Sequence, residues 1–513
     1  MLLKHLRPAF IFLLVSLPWL EPFAPGPSPA LSPLLFAFFC TIVLLVLTVI
    51  NTQDASDNYP AIFRALLAAG LISSFVGLLQ YFGAAADFSP WVNQTRYGEA
   101  FANLRQRNQF ATLTNISFSA LLWLIWTASK SERELVKGAN KSIFLGCLAA
   151  GLLVIGNAVS SSRTGLFQLL LLCVLCGFWG QWRHAAVRWV MVCAVLVYSI
   201  AAFAMPYLAG LDLSLHGVAA RLNQDDACGS RLMLWSNVLH LIAQKPWLGW
   251  GWGELDYAHF ITLYNEPRFC DILDNAHNLP LHLAVELGVP AALLVCGGFL
   301  WWMVRQKPWA ERDATRQMAW AVMAVILLHS MLEYPLWYGP FQMAFGICVL
   351  ILWRQKPPLD AVNSSKKASN WPLALISPAQ TATILIASVL LLLIAYAAWD
   401  YRRISQIYLE RGARSEAYRD DTLNKIRSSW LFADQVQFAE LLITPLMPSN
   451  AAWTLDTAKR LLHYSPEPRI IEKLIESAVL LGNDDEALTY LARYRAAFPK
   501  EHAVWAKTNS KPL

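Results

Sequence analysis

Long apolar runs separated by short polar connections constrain the fold of this chain more than any other feature of its sequence. A bilayer core of about 30 Å is crossed by about 20 helical residues. Eleven runs of suitable length occur, at 8–24, 31–50, 61–84, 109–128, 143–159, 164–180, 189–207, 279–303, 318–335, 337–353 and 373–398. With 56% hydrophobic and only 15% charged residues, the sequence predicts an all-α polytopic membrane protein and excludes a water-soluble enzyme.

The distribution of Lys and Arg predicts the orientation of these spans. The net charge is only +6, and the basic residues fall mostly in short connections, which is typical of a topology signal and not of a nucleic-acid-binding surface. If the N-terminus is cytoplasmic, the inner segments hold seventeen Lys and Arg residues and the short outer connections hold four. We therefore expect a multi-pass protein of the bacterial inner membrane, with its N-terminus in the cytoplasm and its C-terminus in the periplasm.

This topology also predicts the domain organisation. Lys4 and Arg7 precede the first run as in a signal peptide, but the ten spans that follow favour an uncleaved first helix. The predicted membrane domain covers 1–398 and includes a periplasmic loop, 208–278. A periplasmic helical domain is predicted to follow at 399–513.

The predicted C-terminal domain contains charge at helical spacing. Residues 468–496 are typical of two antiparallel helices around a turn that begins at Gly482, similar to one tetratricopeptide-like unit. A generic helical hairpin packed on the membrane domain explains the same pattern equally well.

Two of the nine cysteines differ from the others in their surroundings. Seven lie in apolar runs, where a buried thiol acts as a small hydrophobic group. Cys228 and Cys270 both lie in the periplasmic loop, in a compartment that permits oxidation. A bridge that closes a loop of about 40 residues stabilises a fold by a few kcal/mol. The sequence therefore predicts a disulfide between these two residues.

Two outer connections gather cations and amides. The first, 96–109, precedes the fourth span and contains Arg105, Gln106, Arg107 and Asn108. In the second, 160–165, Arg163 stands at the start of the sixth span. Because a guanidinium fork and a helix N-terminus both suit phosphate groups, these segments predict an anionic ligand. An Arg163 side chain that reaches lipid headgroups is the alternative.

The periplasmic loop adds aromatic residues and a histidine. Ser230 and Arg231 begin an amphipathic stretch, and Trp250 and Trp252 follow it. These two rings are candidates for stacking on sugars, although anchoring at lipid headgroups is the commoner role. His277 stands between two Asn residues at the mouth of the eighth span, and its usual pKa suits proton transfer.

A fourth polar segment ends the ninth span. His329 and Glu333 are four residues apart, which favours a buried pair on one helix face, and Tyr334 follows them. No metal-ligand spacing and no nucleotide-binding loop occur in the sequence. We therefore expect an activity that needs neither a metal nor a cofactor.

Six short motifs occur in an order that resembles the O-antigen ligase and polymerase superfamily, and most closely the PglL-type O-oligosaccharyltransferases, the pilin glycosylases. They are QxN at 106–108, SRTG at 162–165, SRxxxW at 230–235, PWLGWGWG at 246–253, AHN at 276–278 and HxxxEYP at 329–335. The resemblance covers 95–355 by motif. One departure is Arg107, which stands where many relatives have Pro between Gln and Asn.

This resemblance implies a GT-C-type helical membrane enzyme. Such an enzyme transfers a preassembled glycan en bloc from undecaprenyl diphosphate to a Ser or Thr hydroxyl of a periplasmic acceptor protein such as pilin, with inversion and without a metal. By position, the resemblance assigns catalytic roles to His277, Gln106 and Tyr334, with His277 as the base or as the group that orients the acceptor. It assigns diphosphate binding to Arg163 and Arg231. The clusters described above add Arg105, Arg107 and Asn108 as candidates for diphosphate binding, and Trp250 and Trp252 as candidates for contacts with glycan or acceptor.

Other functions remain compatible with these motifs. An O-antigen ligase uses the same donor but transfers the polysaccharide to a lipid A core sugar, and a repeat-unit polymerase uses a second lipid-linked glycan. The HxxxEYP segment and the large predicted C-terminal domain favour a protein acceptor. A transporter is a fourth possibility, but polar or Gly/Pro-broken spans at mid-bilayer and internal repeats are typical of that class, and neither is evident here.

Overall fold

A computed structural model describes residues 2–50, 58–131, 136–212, 217, 229–353 and 377–509. Within these ranges every regular element is a helix. Seven of the described helices are long and apolar enough to cross a membrane. The predicted fold class, an all-α polytopic membrane protein, is confirmed.

A helix underlies each of the eleven predicted spans, and the number of spans and their orientation stay predictions. Ten of them are Leu2–Leu20, Leu31–Ile50, Tyr59–Tyr81, Arg107–Ser131, Val136–Val159, Arg163–Phe178, Ala185–Leu208, Ala314–Ser330, Gly339–Trp353 and Pro378–Ile404. The remaining span begins at Val289–Ala292 and continues through a π-helical turn, Leu293–Gly297, into Gly298–Gln306.

The predicted start of this remaining span, at residue 279, is wrong. The helix Leu279–Leu287 ends at Gly288, whose φ is +89°, and the helix that is long enough to cross a membrane begins at Val289. A Cβ at Gly288 would overlap the carbonyl oxygen of Trp247. The break therefore results from a close backbone approach by a distant segment, which apolar periodicity does not record.

The described chain divides into two compact units. The first comprises 1–24, 30–224 and 306–395, and the second comprises 25–29, 225–305 and 396–513. In the first unit, the helix Arg107–Ser131 is the most deeply buried candidate span. It packs against the helices Tyr59–Tyr81, Val136–Val159, Arg163–Phe178 and Ala314–Ser330. Polar side chains on this central helix therefore meet polar groups of its neighbours.

The second unit holds two hydrophobic cores. Its further helices are Arg231–Gln244, Leu255–Ile261, Leu279–Leu287, Thr422–Ile426, Ala433–Ile443, Ala451–Leu461, Pro468–Leu480, Asp484–Ala497 and Pro499–Asn509. Ala258 belongs to the core formed by loop residues, and Phe260 belongs to the core formed by the C-terminal helices. The short Leu255–Ile261 helix therefore contributes to both cores.

The predicted boundary after residue 398 lies three residues from the division between the two units, inside the helix Pro378–Ile404. Residues 225–305, most of the predicted periplasmic loop among them, group with the C-terminal helices and not with the membrane segment. The predicted domains stay a prediction. The ring of Tyr257 stacks on His463 with centroids 3.8 Å apart. A carboxylate oxygen of Glu254 lies 2.7 Å from Nδ1 of the same histidine.

The cysteines of the described residues fall into two classes. Cys270 is disulfide-bonded. The seven cysteines of the predicted spans are free. Cys228 lies outside the described residues, so its pairing with Cys270 stays a prediction.

Candidate active site

Asn108 connects three of the motif segments in the first unit. It is the second residue of the central helix, and its Nδ2 donates to a carboxylate oxygen of Glu333 at 3.2 Å. Its Oδ1 accepts a hydrogen bond from the hydroxyl of Ser162 at 2.6 Å. The QxN, SRTG and EYP segments are therefore joined through one amide side chain.

The SRTG segment begins a helix with a serine cap. The Ser162 hydroxyl accepts the backbone N–H of Gly165 at 2.9 Å, and Arg163 is the first helical residue, with an exposed side chain. A Cβ at Gly165 would overlap the side-chain oxygen of Asn157 and crowd Ala111. Each residue has a physical role: the serine satisfies an end N–H group, the arginine presents charge, and the glycine permits close helix packing.

The segment before the central helix has its polar groups largely engaged within the protein. The side-chain oxygen of Gln106 accepts the N–H of Gln109 at 2.7 Å and thereby caps the helix. Arg105, with φ +60°, donates to the carbonyl oxygen of Pro22. Burial lowers the pKa of the Arg105 guanidinium, and the charge of Glu21 opposes this shift.

Arg107 also has a partner within the protein. One of its guanidinium nitrogens lies 3.4 Å from a carboxylate oxygen of Glu99, and both side chains are partly exposed. Arg105 and Arg107 therefore each have a protein partner in the first unit.

A buried polar network lies along the central helix. The hydroxyl of Thr112 lies 2.9 Å from Nδ1 of His329, which is fully buried. Gln168 donates to the same hydroxyl at 2.9 Å and to the carbonyl oxygen of Val325 at 3.0 Å. This network fixes the relative positions of three helices, Arg107–Ser131, Arg163–Phe178 and Ala314–Ser330.

The predicted placement of His329 and Glu333 on one helix face is wrong. The helix ends at Ser330, so Glu333 lies in the following turn, where it accepts from Asn108. Tyr334 comes next, and its ring stacks on Tyr338 with centroids 6.0 Å apart. The EYP segment is therefore a turn held by the central helix.

In the second unit, His277 lies in a tight turn with several backbone restraints. Its φ is +50°, and its N–H donates to the side-chain oxygen of Asn275 at 2.8 Å. The indole N–H of Trp235 donates to the carbonyl oxygen of Ala276 at 3.2 Å. Asn278 accepts the N–H of Leu281 at 3.1 Å and caps the next helix. The SRxxxW and AHN motifs are thus one structural assembly.

Arg231 repeats the local structure of Arg163. The hydroxyl of Ser230 accepts the N–H of Met233 at 3.3 Å, and Arg231 is the first residue of its helix, with a half-buried side chain. Unpaired N–H groups and the helix dipole make such N-termini favourable for anions. The same Ser–Arg arrangement therefore occurs once in each unit.

A buried pair supports the AHN turn. Nδ1 of His282 accepts the N–H of Ala276 at 3.5 Å, and its Nε2 lies 3.5 Å from a carboxylate oxygen of Glu286. Burial, with His277 as a second cause, lowers the pKa of His282 to about 4. Burial also raises the pKa of Glu286 to about 7. Both groups are therefore uncharged between these two values.

The PWLGWGWG segment holds the helix that follows the AHN turn. The N–H of Trp250 donates to the carbonyl oxygen of Val285 at 2.9 Å, and that of Gly251 donates to Glu286 at 3.0 Å. A Cβ at Gly249, whose φ is +69°, would overlap the backbone of Glu286. Gly249 is therefore required by a close backbone contact, a role that the sequence pattern did not reveal although the regular spacing of the motif's glycines signals it.

The two tryptophans predicted to contact sugar differ in their surroundings. The Trp250 indole donates to the carbonyl oxygen of Leu241 at 3.0 Å, and the ammonium group of Lys245 lies 3.9 Å from its ring centre. The ring of Trp252 is exposed. Trp252 thus presents the more accessible ring for stacking.

Three family models match the chain, and their ranges contain all six motifs. The "Protein glycosylation ligase" model matches 100–125, the "O-Antigen ligase" model matches 148–296, and the model "Virulence factor membrane-bound polymerase, C-terminal" matches 317–511. The resemblance predicted from the motifs is therefore confirmed.

The chain is also similar to two proteins from Acinetobacter baylyi. A general O-oligosaccharyltransferase is 24% identical over 345 residues, which cover 64% of this chain and 57% of the relative. A ComP-specific O-oligosaccharyltransferase is 24% identical over 272 residues, which cover 53% of this chain and 47% of the relative. The chain therefore spans less than two thirds of the length of each of these relatives.

Proposed function

We propose that this protein is a protein O-oligosaccharyltransferase of the O-antigen ligase and polymerase superfamily. It transfers a preassembled glycan en bloc from undecaprenyl diphosphate to a Ser or Thr hydroxyl of a periplasmic protein such as type IV pilin. The names of both relatives and the match of 100–125 to a protein glycosylation ligase model support this assignment.

The observation that carries the proposal is the repeated Ser–Arg arrangement at a helix N-terminus. Arg163 and Arg231 each follow a capping serine and begin a helix. The diphosphate of a lipid-linked glycan is an anion with several acceptor oxygens, which suits both the guanidinium fork and the helix end. We assign diphosphate binding mainly to these two residues, because each places a guanidinium at a helix N-terminus that is capped by a serine.

The reaction then needs one base and one stabilised leaving group. The acceptor hydroxyl oxygen attacks the anomeric carbon, and the bond from that carbon to the diphosphate oxygen breaks. His277 takes the hydroxyl proton, and undecaprenyl diphosphate leaves with both bonding electrons. Arg163 and Arg231 stabilise the charge that develops on the leaving oxygen.

Three further residues contribute contacts in this proposal. The Gln106 carbonyl caps a helix, which leaves its amide nitrogen as the group for a donor contact. Tyr334 offers a hydroxyl from the EYP turn, and Trp252 offers an exposed ring for sugar stacking. Asn108 acts through Ser162 as a positioning residue.

A single displacement predicts inversion at the anomeric carbon. Nuclear magnetic resonance of the glycopeptide and of the donor gives the two anomeric configurations. A product with the donor's configuration would exclude direct attack by the acceptor hydroxyl.

The proposed reaction also fixes the topology of the protein. The donor and acceptor both reside in the periplasm, so the motif-bearing connections and the C-terminus are periplasmic and the protein lies in the inner membrane. Alkaline phosphatase fused after residue 509 is expected to be active. If a fusion within the connection around residue 183 is active instead, the orientation of the spans is the opposite of the proposed one.

One observation supports a second function, the transfer of polysaccharide to a lipid A core sugar. The O-antigen ligase model matches 148–296, which includes Arg163, Arg231 and His277. The decisive experiment compares cells with and without this gene by intact-protein mass spectrometry of pilin and other periplasmic proteins, alongside a lipopolysaccharide gel.

The two readouts separate the two functions. A glycan-sized protein mass that requires the gene, with an unchanged lipopolysaccharide ladder, supports protein glycosylation. Loss of the ladder with unchanged protein masses overturns it in favour of ligation.

A further inference from the structure

The helix Arg231–Gln244 presents leucines on its exposed side as well as on its buried side. Leu234, Val238 and Leu241 lie in the hydrophobic core of the second unit. The opposite stripe, spaced four, three and four residues apart, consists of Leu232, Ser236, Leu239 and Ala243, all exposed. This stripe contains no charged residue, and the exposed polar residues His240 and Gln244 lie beside it. On a helix that faces water, polar and charged residues would be expected on the stripe opposite the core.

The residues after this helix extend the same apolar character. Trp247 is 76% exposed and Leu248 is 86% exposed, compared with 78% for Leu232 and 54% for Leu239. We call the exposed residues Leu232, Ser236, Leu239, Ala243, Trp247 and Leu248 the loop apolar face. Single exposed hydrophobic residues need no explanation, but several within one short segment mark an interaction surface.

Backbone contacts fix the position of Trp247 and Leu248 along the following membrane helix. The N–H of Val289 donates to the carbonyl oxygen of Pro246 at 2.8 Å. Gly288 and the backbone of Trp247 approach so closely that a Cβ at Gly288 would overlap the Trp247 carbonyl. Val289 is the first residue of the candidate span Val289–Ala310. Trp247 and Leu248 therefore lie beside the first residue of this candidate span.

We infer that the loop apolar face lies in the bilayer leaflet at which the span Val289–Ala310 begins. A lipid surface is the occupant that this continuity favours, because Trp and Leu at the end of a span reside at the headgroup and acyl boundary. The Arg231–Gln244 helix is then an interfacial helix that lies along the membrane surface.

This placement has a consequence for the helix N-terminus. Arg231, as the first residue of the interfacial helix, is held at the depth of the lipid phosphate groups. The inference concerns lipid contact and goes beyond the proposed transfer reaction. A protein that transfers no glycan can still show this contact, and a transferase can lack it.

The test uses the full chain in phospholipid nanodiscs that hold one molecule each. Because the chain has nine cysteines, an environment-sensitive fluorophore is attached through a genetically encoded azidophenylalanine at position 239 or 248. Position 504 is the matched control, because Val504 is similarly exposed, at 68%, on the helix Pro499–Asn509. Some of the lipids carry a doxyl quencher at a shallow acyl position.

The expected result is blue-shifted emission and quenching by doxyl lipid at 239 and 248, with water-like emission and no such quenching at 504. Water-like emission at 239 and 248 would overturn the inference. Blue-shifted emission without doxyl quenching, found only in nanodiscs that hold two chains, would overturn it in favour of contact with a second copy. Glycan transfer, measured separately on the same variants, reports on the proposed function alone.

Discussion

The indole N–H of Trp235 donates to the carbonyl oxygen of Ala276 at 3.2 Å, and this bond joins the Arg231–Gln244 helix to the turn that carries His277. The bond connects two motifs that are separated by about forty residues in the sequence, and it acts on the proposed base only through the backbone. Trp235 is therefore a positioning residue in the proposed mechanism.

Replacing Trp235 by Phe tests this role, because Phe keeps an aromatic ring and removes the N–H group. A typical net hydrogen-bond contribution of about 1 kcal/mol corresponds to a roughly fivefold lower rate. We expect this lower rate to appear as a lower kcat, with little change in the KM for the donor. Trp250→Phe is the control, since it removes a similar indole bond, to Leu241. Equal kinetics for the two variants would contradict a role for the Ala276 contact.

The left-handed backbone of His277, with φ +50°, determines which substitutions test its side chain alone. Gly adopts this conformation freely and Asn tolerates it, whereas Ala adds backbone strain. We expect His277→Gly and His277→Asn to abolish glycosylation while the protein is expressed and extracted as the wild type is. Pilin mass measures the reaction. Full glycosylation by His277→Gly would remove this histidine from the mechanism.

We assign Arg163, which follows a capping serine at a helix N-terminus, to the diphosphate, whereas Arg107 contacts Glu99. The two residues are therefore expected to differ in their sensitivity to replacement by lysine. Lysine keeps the charge but loses the planar fork that binds two phosphate oxygens. A hydrogen bond to a charged group contributes about 1.5–3 kcal/mol, so Arg163→Lys is expected to weaken donor binding by about 10- to 100-fold. Arg107, which already faces Glu99 at 3.4 Å, tolerates the same change.

Donor titration with a lipid-linked glycan provides the measurement for both arginine variants. A larger loss of donor binding in the Arg107 variant than in the Arg163 variant would indicate that the diphosphate binds at the start of the central helix and not at Arg163.

Two glycines of the PWLGWGWG segment differ in the space around them. A Cβ at Gly249 would overlap the backbone of Glu286, whereas Gly253, with a similar positive φ of +79°, has nothing within 4 Å. Gly253→Ala adds only left-handed strain of about 1–2 kcal/mol. Gly249→Ala must in addition separate two backbone segments. We expect a clearly lower unfolding temperature for Gly249→Ala than for Gly253→Ala. Equal temperatures would show that the backbone contact is dispensable.

The motifs singled out the candidate residues but did not indicate their individual contacts. The sequence pointed to Gln106, Asn108 and Arg163 because amides and cations cluster at the mouths of spans. It did not indicate that the Asn108 amide joins Glu333 to Ser162, because such bonds connect segments far apart in the chain. The roles of these residues in catalysis stay predictions.

Two features of the architecture that the sequence did not indicate have a common physical cause. Apolar periodicity predicted a span from 279, because the helix Leu279–Leu287 is itself apolar, but the Gly288 backbone is set by Trp247. Phe260, a single aromatic residue of the predicted loop, is buried among the C-terminal helices. Both features depend on contacts between distant segments, which local composition does not encode.

His259 predicts a pH dependence of stability in the second unit. It is fully buried, with Nδ1 2.8 Å from the hydroxyl of Tyr264. Burial, with the nearby charge of Arg268 as a second cause, lowers the pKa of His259 from 6.5 to about 3. Below pH 6.5 the unfolded chain therefore binds a proton at this residue that the folded chain does not bind. The contribution of His259 to stability is thus present above pH 6.5 and decreases as the pH falls toward 3.

Replacing His259 by Gln tests this dependence. Between pH 7.5 and pH 5, we expect the unfolding temperature of His259→Gln to fall less than that of the wild type, measured by intrinsic fluorescence in nanodiscs. The exposed His240→Gln variant serves as the control and should keep the wild-type dependence, and an unchanged dependence in His259→Gln would mean that this buried imidazole does not govern acid stability.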